Sequence, residues 1–498
     1  MATKKIYSNT IAQIAGKLIT ALISIFMIKI LTNYLDISGY GLYSKIYNYV
    51  SIFAVIADLG LYTISVRELA NQQHDRKMTE KISGNILSLR TLSGLIIVFL
   101  SLAIGLFLPG YNTPEALIGI SIAALFTLAG LINSSLMSSL QAMLKTEFSL
   151  VANTAGKLLT FGMVVLFASV LYAVGHTEKF ILVMLAGLAG NILMTVITWW
   201  YVEKYEKIRF RWDSSYIKHI LKISLPYGLA LFLNVLFFKV DTLLLSIMTE
   251  KSVSEIVVAL YALPMKIVEV GMMYGTIFLN SLLPVLTKSI TEKNTTETHR
   301  LTIQSFRLLF FFGTGITIFL FLCSPDIIRL ISNSEYVHTN VYGYFSSDAL
   351  KIVSCIFFFY FLSSLFTFIL IAANEQKKML VINACIALVN IIGNLIFIPH
   401  FSFIGSAWVT LISQAILMFI TGYTIRKQIP LKQVCISGIS ILFCAILGVL
   451  GVFLLESFFP ISEGSSLAES LTRILATGGI FCIIYLVCVG ILYLYKKK

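Results

Sequence analysis

Long apolar runs alternate with short polar segments along the whole chain. Each run has roughly 20 or more residues, long enough for a helix to cross a bilayer core of about 30 Å. The runs are continuous, whereas strands of a membrane β-barrel alternate between apolar and polar positions over about ten residues. The pattern therefore predicts an all-α, polytopic membrane protein with about 14 transmembrane helices. The expected spans are residues 8–34, 43–67, 82–108, 115–142, 148–174, 180–202, 217–248, 255–287, 301–324, 348–373, 378–399, 403–425, 433–457 and 471–495.

The composition agrees with this pattern. The chain is 58% hydrophobic and 12% charged, with a mean hydropathy of +0.89, whereas soluble domains are about a quarter charged. The short loops leave no room for a soluble catalytic domain, so we do not expect an enzyme. The 7 cysteines show no metal-ligand spacing and the 6 histidines form no HExxH motif, so we expect no metal and no cofactor.

Basic residues are concentrated in alternate loops. With the N-terminus inside, Lys and Arg residues of the inner segments outnumber those of the outer segments by about four to one. Lys45 is counted among the outer residues. This bias predicts that both termini are cytoplasmic and that the protein is a multi-pass protein of the inner (cytoplasmic) membrane. Basic loops facing anionic lipid also explain the net charge of +13 without a nucleic-acid partner.

The chain shows a weak internal repeat. Gly41-Leu42-Tyr43 opens the second span and Ala259-Leu260-Tyr261 opens the eighth. The most basic loop, Glu203 to Lys222, separates six spans from the next six, so the repeat would be parallel and would enclose a central cavity. We expect a first lobe at residues 1–212, a second lobe at 213–430 and two further helices at 431–498.

Charged side chains occur deep within the expected spans. A charge at mid-bilayer costs about 2.5–3.5 kcal/mol and usually faces a partner or water. Lys17 lies about 13 Å beyond Ser8 along a helix, and Lys29 lies about 18 Å further, where it can snorkel to the outer surface. The candidate cations of a central cavity are Lys17, Lys29, Arg90, Lys157, Lys239 and Lys266.

Polar residues recur at helical spacing beside these charges, as Asn9, Gln13 and Lys17 do in the first span. The candidate polar face of the lumen consists of Asn9, Gln13, Asn153, Asn234, Asn280 and Asn390. The acidic candidates for ion coupling or ion pairing are Asp58, Asp241 and Glu269.

Structural roles are the alternative for each group. Asn stripes hold membrane helices together, Asp241–Lys266 or Lys239–Glu269 would suit structural ion pairs, and Lys157 and Arg90 could snorkel. Pairing alone would make the signs cancel, yet without Lys29, which can snorkel, the cations of these spans exceed the acids by about two. The excess predicts a cavity that binds an anion, and lysine suits phosphate as a strongly hydrated point charge.

Several segments resemble polysaccharide transporters of the Wzx type, in the multidrug/oligosaccharidyl-lipid/polysaccharide (MOP) flippase superfamily. They are the stretch from Asn9 to Lys29, Gly39-Tyr40-Gly41-Leu42-Tyr43, Ala57-Asp58-Leu59-Gly60-Leu61, and the stretch from Ile398 to Thr410. The resemblance covers nearly the whole chain. It implies two six-helix lobes around a cationic cavity, with two extra C-terminal helices.

The resemblance also implies a flippase that moves a polyprenyl-pyrophosphate-linked oligosaccharide by alternating access for surface polysaccharide (O-antigen) assembly, with undecaprenyl pyrophosphate as the carrier. Its expected partners are that substrate, membrane lipids, proton or sodium as a coupling ion, and a polysaccharide polymerase, and we expect a monomer. Two alternatives stay open: a cation-coupled drug or metabolite exporter of the same superfamily, and a membrane-embedded glycan polymerase or ligase acting through the outer segment from Ser324 to Ser347.

Overall fold

The fold is all-α. The structure, a computed structural model, describes residues 2–72, 75–426, 429, 431–458 and 466–495, and within them it describes most side chains from residue 23 onward. In this part of the chain no strand occurs, and the sole β feature is an isolated bridge between Val341 and Tyr344. The helices are α1 (Ala2–Asp58), α2 (Leu61–Asn71), α3 (Arg76–Phe107), α4 (Pro114–Ala142), α5 (Thr146–Val170), α6 (His176–Glu203), α7 (Ser214–Met248), α8 (Ser254–Thr291), α9 (Thr295–Leu322), α10 (Ser324–Ile331), α11 (Glu335–His338), α12 (Ser346–Ser354), α13 (Ile356–Ala372), α14 (Gln376–Thr424), α15 (Leu431–Phe458), α16 (Leu467–Arg473) and, after a π-helical turn at Ile474–Gly478, α17 (Gly479–Tyr495).

The helices account for the membrane spans expected from the sequence. Among the described residues, 11 helices are long and apolar enough to cross a membrane, and a shorter apolar helix covers Gly438–Leu454. Two of the 11 are 49 residues long. Gln376–Thr424 covers nearly all of the expected spans 378–399 and 403–425, and Ile23–Asn71 covers the end of the span 8–34 and all of the span 43–67. The protein is therefore a multi-pass helical membrane protein, and the expectation of about 14 spans agrees with it.

Two loops expected from the sequence are instead kinks within helices. In α1 the backbone of Asp36 departs from helical geometry (φ 56°, ψ −173°), and its Oδ1 accepts a hydrogen bond from Gly39 N at 2.9 Å. This side chain caps the helix that resumes after the kink. In α14 the kink lies at Ser402 (φ 51°), three residues after Pro399, whose ring prevents a regular helical hydrogen bond. The connections that were expected at residues 35–42 and 400–402 are therefore largely helical.

The chain forms two compact units, Met1–Ala259 and Leu260–Lys498. The division falls within α8, whereas the expected lobe boundary lies at residues 212/213. The two units are defined by contacts between residues, whereas the lobes were predicted from a repeat in the sequence. The lobes at 1–212, 213–430 and 431–498 therefore stay a prediction.

Close helix packing in the first unit depends on Gly41. A methyl group at Gly41 would overlap the carbonyl oxygen of Glu255 at the start of α8, so a residue with a side chain cannot occupy this position without moving backbone. Near the same contact, Ser38 Oγ donates to Glu255 Oε2 at 2.9 Å. Small residues allow such approach between membrane helices, which explains the glycine of the Gly41-Leu42-Tyr43 segment.

Aromatic side chains organise the second unit. Phe357 and Phe361 of α13 pack against Gly271 and Gly275 of α8. The last helix, α17, packs on α9, because the rings of Tyr485 and Phe311 stack at 4.9 Å and Tyr485 Oη donates to Phe311 O at 3.0 Å. The C-terminal helix is thereby attached to the second unit.

We expect Gly41→Ala to lower thermal stability, because the added methyl group overlaps the Glu255 backbone and overpacking typically costs about 1–3 kcal/mol. Thermal unfolding of the detergent-purified protein, followed by size-exclusion chromatography after heating, measures the change. Gly162→Ala is the matched control, because a methyl group there meets no atom within 4 Å. Equal unfolding temperatures for the two variants would contradict the packing argument.

Candidate functional site

A helix break lies within the second expected span. Helix α1 ends at Asp58 and α2 begins at Leu61, while Leu59 (φ 47°) and Gly60 (φ 70°) are both in the left-handed region. The break packs tightly against α7. A methyl group at Gly60 would lie 2.6 Å from Tyr227 Cδ1, and one at Gly228 would overlap the backbone of Leu59. The Ala57-Asp58-Leu59-Gly60-Leu61 segment thus forms a break whose close contact with α7 requires glycine at Gly60 and at Gly228.

An ion pair stabilises this break. Arg90 of α3 donates from Nη2 to Asp58 Oδ1 and from Nη1 to Ser134 Oγ of α4 at 2.8 Å. Arg90 is 0% exposed, and Asp58 is 24% exposed. A guanidinium does not deprotonate in a protein, so its burial requires a counter-charge. The pair therefore connects the end of α1 to α3 and α4.

The position of Arg90 corrects two expectations. Its side chain is fully buried, so it does not snorkel to the inner surface. For the same reason it does not line an open cavity in this structure, and it does not contribute to a substrate-binding surface here. Asp58, expected as a coupling or ion-pair residue, has the second of these roles.

The candidate lysines with described side chains differ from Arg90 in exposure. Lys157 on α5 is exposed, and Lys29 on α1 and Lys239 on α7 are partly exposed. On α8, Lys266 Nζ lies 3.1 Å from Glu269 Oε2, and the Lys266 side chain is 49% exposed. Lysine thus supplies accessible cationic surface on three membrane helices, α5, α7 and α8.

The acidic and amide candidates fall into two groups. Asn234 and Asn280 are exposed and Asn153 is partly exposed, as a polar lumen face requires. Asp241 and Asn390 are buried, and Asn390 Oδ1 accepts from Asn394 Nδ2 at 3.2 Å on the same helix. Asn390 is therefore buried in this structure, and its role on the lumen face stays a prediction.

The roles of the first-span residues and two of the expected ion pairs stay predictions. The side chains of Asn9, Gln13 and Lys17 lie outside the described residues. The ion pair of Lys266 with Glu269 forms within one helix, and the pairings Asp241–Lys266 and Lys239–Glu269 stay predictions.

Lys45, counted among the outer charges, has a buried side chain. It is 2% exposed, and its Nζ lies 4.9 Å from the centre of the Tyr111 ring. Ser246 Oγ of α7 donates to Tyr111 Oη at 2.9 Å, which fixes the ring. A cation over an aromatic face is stabilised by the ring quadrupole. The sequence signal was Tyr49, which is four residues beyond Lys45 on the same helix face and packs at 4.7 Å from Tyr111.

More than half of the chain matches a known protein family. Residues 6–290 match the family described as polysaccharide biosynthesis protein. The chain belongs to this family. Residues 226–396 also match the MatE family, and with the shared fold these matches place the chain in the MOP flippase superfamily. No curated protein sequence matches the chain significantly.

Solved structures share the fold at low identity. The lipid II flippase MurJ, in an inward closed conformation, has a TM-score of 0.71 and 17% identity, over 99% of this chain and 100% of that chain. An inward-facing multidrug resistance MATE family transporter has a TM-score of 0.65 and 13% identity, over 84% and 98%. A MOP superfamily transporter from Pyrococcus furiosus has a TM-score of 0.59 and 14% identity, over 85% and 96%.

We expect Asp58→Asn to destabilise the protein more than Arg90→Met does. The first variant leaves a fully buried guanidinium without its counter-charge, whereas the second leaves a carboxylate that is 24% exposed and can be hydrated. Removing one partner of a buried ion pair lowers the free energy of unfolding by about 3–5 kcal/mol. Because Asp58 is partly exposed, we expect a loss towards the lower end of this range. The double variant should recover part of the loss, because no unpaired charge remains. Additive shifts in thermal unfolding for the two single variants would show that the pair is not coupled.

Proposed function

We propose that the protein is a flippase that moves polyprenyl-pyrophosphate-linked oligosaccharide from the inner to the outer leaflet of the cytoplasmic membrane by alternating access. The observation that carries the proposal is the match of more than half of the chain to the polysaccharide biosynthesis protein family. Transport without catalysis fits a chain whose described residues consist almost entirely of apolar helices and short connections. The translocated oligosaccharide is used to assemble surface polysaccharide or O-antigen.

Accessible lysines supply the chemistry for the diphosphate. Lys157, Lys239 and Lys266 lie on membrane helices and are exposed or partly exposed, and Lys17 joins them by prediction. Ammonium groups at such positions require water or an anion, because an unscreened charge at mid-bilayer costs about 2.5–3.5 kcal/mol. Flexible lysine side chains can follow a moving phosphate, whereas arginine would hold it in a fixed bidentate geometry.

The second unit supplies an apolar surface for the lipid tail. A groove of about 760 Å³ is lined mainly by apolar and aromatic side chains, among them Phe397, Phe401 and Trp408. Lys351 and Asp348 also line it and form an ion pair at 3.5 Å. A polyprenyl chain would lie in lipid along this groove or along α15 and α17.

The membrane potential can drive this transport. Moving about two negative charges out of a negative cytoplasm is favoured by roughly 4–5 kcal/mol per 100 mV. The predicted orientation, with both termini cytoplasmic, places the basic loops on the side where the substrate is made. Proton or sodium coupling would add to this driving force.

The MatE match favours a second candidate, a cation-coupled exporter of drugs or metabolites. A cationic drug would be repelled by exposed lysines, whereas an anionic lipid headgroup would be attracted. A deletion strain that becomes drug-sensitive while keeping normal surface glycan would support the exporter and contradict the flippase.

The polymerase or ligase alternative depends on charged groups of the outer segment, and two of them are used for packing. Asp326 is buried and lies 3.6 Å from Arg473 Nε. Arg329 Nη1 donates to Ser470 Oγ at 3.3 Å. Both contacts attach α10 to α16, so these groups have a structural role. Polymerisation of lipid-linked sugar by the purified protein would overturn this assignment.

We expect Lys157→Ala and Lys17→Ala each to reduce surface glycan several-fold while the protein still inserts into the membrane, because each removes a cation that binds the diphosphate. Lys157→Arg should retain more activity than Lys157→Ala. Surface glycan on intact cells and uptake of labelled lipid-linked sugar into proteoliposomes are the two measurements.

Lys288→Ala is the control, because that side chain is 75% exposed beside Glu292 in the last turn of α8 and has no proposed role in binding. Wild-type glycan levels in both Lys17→Ala and Lys157→Ala cells would refute the cationic binding site.

A further inference from the structure

A buried carboxylate lies in the connection between α6 and α7. Glu206 is 1% exposed, although it is only three residues beyond the end of α6. Among the described residues, neither Oε1 nor Oε2 of Glu206 has a hydrogen bond of regular geometry. The nearby Ser83 and Ser139 hydroxyls, which interact weakly with the carboxyl group, bond to each other at 3.1 Å. Burial of an ionised carboxylate without hydrogen bonds or a counter-charge is strongly unfavourable, and such a group responds by binding a proton. The helix arrangement therefore selects a neutral side chain here.

Glu206 borders a cavity of about 330 Å³ in the first unit. This volume holds several water molecules, each of which occupies about 30 Å³ in the liquid. Polar groups from α3 and α4 face the same space, so protons can reach the carboxyl through water. The main lining residues are Arg76, Thr79, Ser139, Met143, Tyr205 and Glu206.

Among the described residues, the charged groups around the cavity form no ion pair with Glu206. Arg76 Nε is 3.1 Å from Glu80 Oε1, and its side chain is 66% exposed, so its charge is shared with another acid and with solvent. Lys145 Nζ lies over the Tyr205 ring at 3.0 Å from its centre. Burial raises the pKa of Glu206, and the nearby Glu80 adds to the rise; the Ser83 and Ser139 hydroxyls and Arg76 oppose it. The pKa direction agrees with the geometry.

The segment that carries Glu206 docks on α3. Arg211 N donates to Ser88 Oγ at 3.0 Å, Asp213 N donates to Asn85 Oδ1 at 2.6 Å, and Lys81 Nζ pairs with Asp213 Oδ2 at 2.6 Å. Ile208 packs in an apolar cluster with Leu87, Leu136, Leu140 and Val202. This docking surface closes over Glu206, so the carboxyl cannot become hydrated without loosening the segment.

We propose that Glu206 is a proton-binding site whose occupancy controls how firmly residues 204–213 dock on α3 and α4. With the proton bound, the neutral carboxyl stays buried. When the O–H bond ionises, the proton passes to water in the cavity, and the carboxylate must gain hydration through that cavity or by partial release of the segment. Residues 204–213 connect the two predicted lobes, so release of the proton would free that connection.

Infrared spectroscopy of the full-length protein in lipid nanodiscs tests proton occupancy directly. At neutral pH we expect a protonated-carboxyl C=O band in the wild type that Glu206→Gln removes. Glu292→Gln is the control, because the Glu292 side chain is 57% exposed, and it should leave the band in place. A wild-type spectrum identical to that of Glu206→Gln at neutral pH would overturn the proposal.

The stability of the wild type should fall as pH rises, relative to Glu206→Gln. The folded state holds the Glu206 proton above the ordinary pKa of 4.5, so the native state binds more protons than the unfolded state between 4.5 and the raised pKa. Stability therefore decreases with pH across that window and levels off above it. The difference in thermal unfolding temperature between the two proteins measures this linkage, and a difference independent of pH would contradict it.

Trypsin reports the release of the segment, because Arg209 and Arg211 are exposed within it. At each pH the cleavage rate of the wild type is divided by that of Glu206→Gln, which cancels the pH dependence of the protease. We expect the ratio to rise several-fold at alkaline pH, and Glu206→Asp, which keeps a carboxyl group, to retain a rise. A constant ratio would overturn the control of docking.

A sodium titration at fixed pH separates a proton site from a metal-ion site. If sodium stabilised the wild type but not Glu206→Gln, the site would bind a metal cation and the proton assignment would be wrong. No effect of sodium on the difference between the two proteins is the expected result. None of these measurements needs a lipid-linked sugar, so they test Glu206 independently of the proposed substrate.

Discussion

The structure of the first unit depends on the neutralisation of Arg90. A guanidinium cannot lose its proton to escape burial, so Asp58 must remain beside it and Ser134 must accept its second hydrogen bond. The carboxylate sits at the last residue of α1, and the chain must turn immediately afterwards. The positive φ angles of Leu59 and Gly60, the contact with Gly228 and the start of α2 all follow at this point. One charge thus fixes the relative positions of four helices, namely α1, α3, α4 and α7.

The other charged groups also differ in what compensates their charge. Lys45 is buried because an aromatic ring, itself fixed by Ser246, faces its ammonium group. Lys157 and Lys266 are on membrane helices but exposed, which is the condition for binding a mobile anion. Glu206 is buried with no hydrogen bond of regular geometry to either oxygen among the described residues, and protonation is the available way to remove its charge. The surroundings of each ionisable group therefore separate the structural ion pair from the groups for which substrate binding or proton binding is proposed.

The segments that carry the family resemblance are mainly sites of close backbone approach. Gly41 permits contact with the Glu255 backbone, and Gly60 and Gly228 permit contact between the helix break and α7. These positions describe how the helices pack. Packing positions of this kind account for the agreement of the family and the fold with the sequence, whereas the proposed substrate depends on charged side chains.

Hydropathy alone determined the all-α class, the membrane location and the approximate number of spans, because a continuous apolar run of about 20 residues has few alternatives in water or lipid. Helical spacing also identified Arg90, Asp58 and the lysines as unusual. Which charged groups are buried was decided only by tertiary structure: Lys45 packs against the Tyr111 ring and Arg90 pairs with Asp58, both on segments distant in the sequence, and Glu206 borders a cavity lined by α3 and α4. A linear pattern records residue type and helix face, whereas the free energy of a charge depends on neighbours that the pattern does not contain.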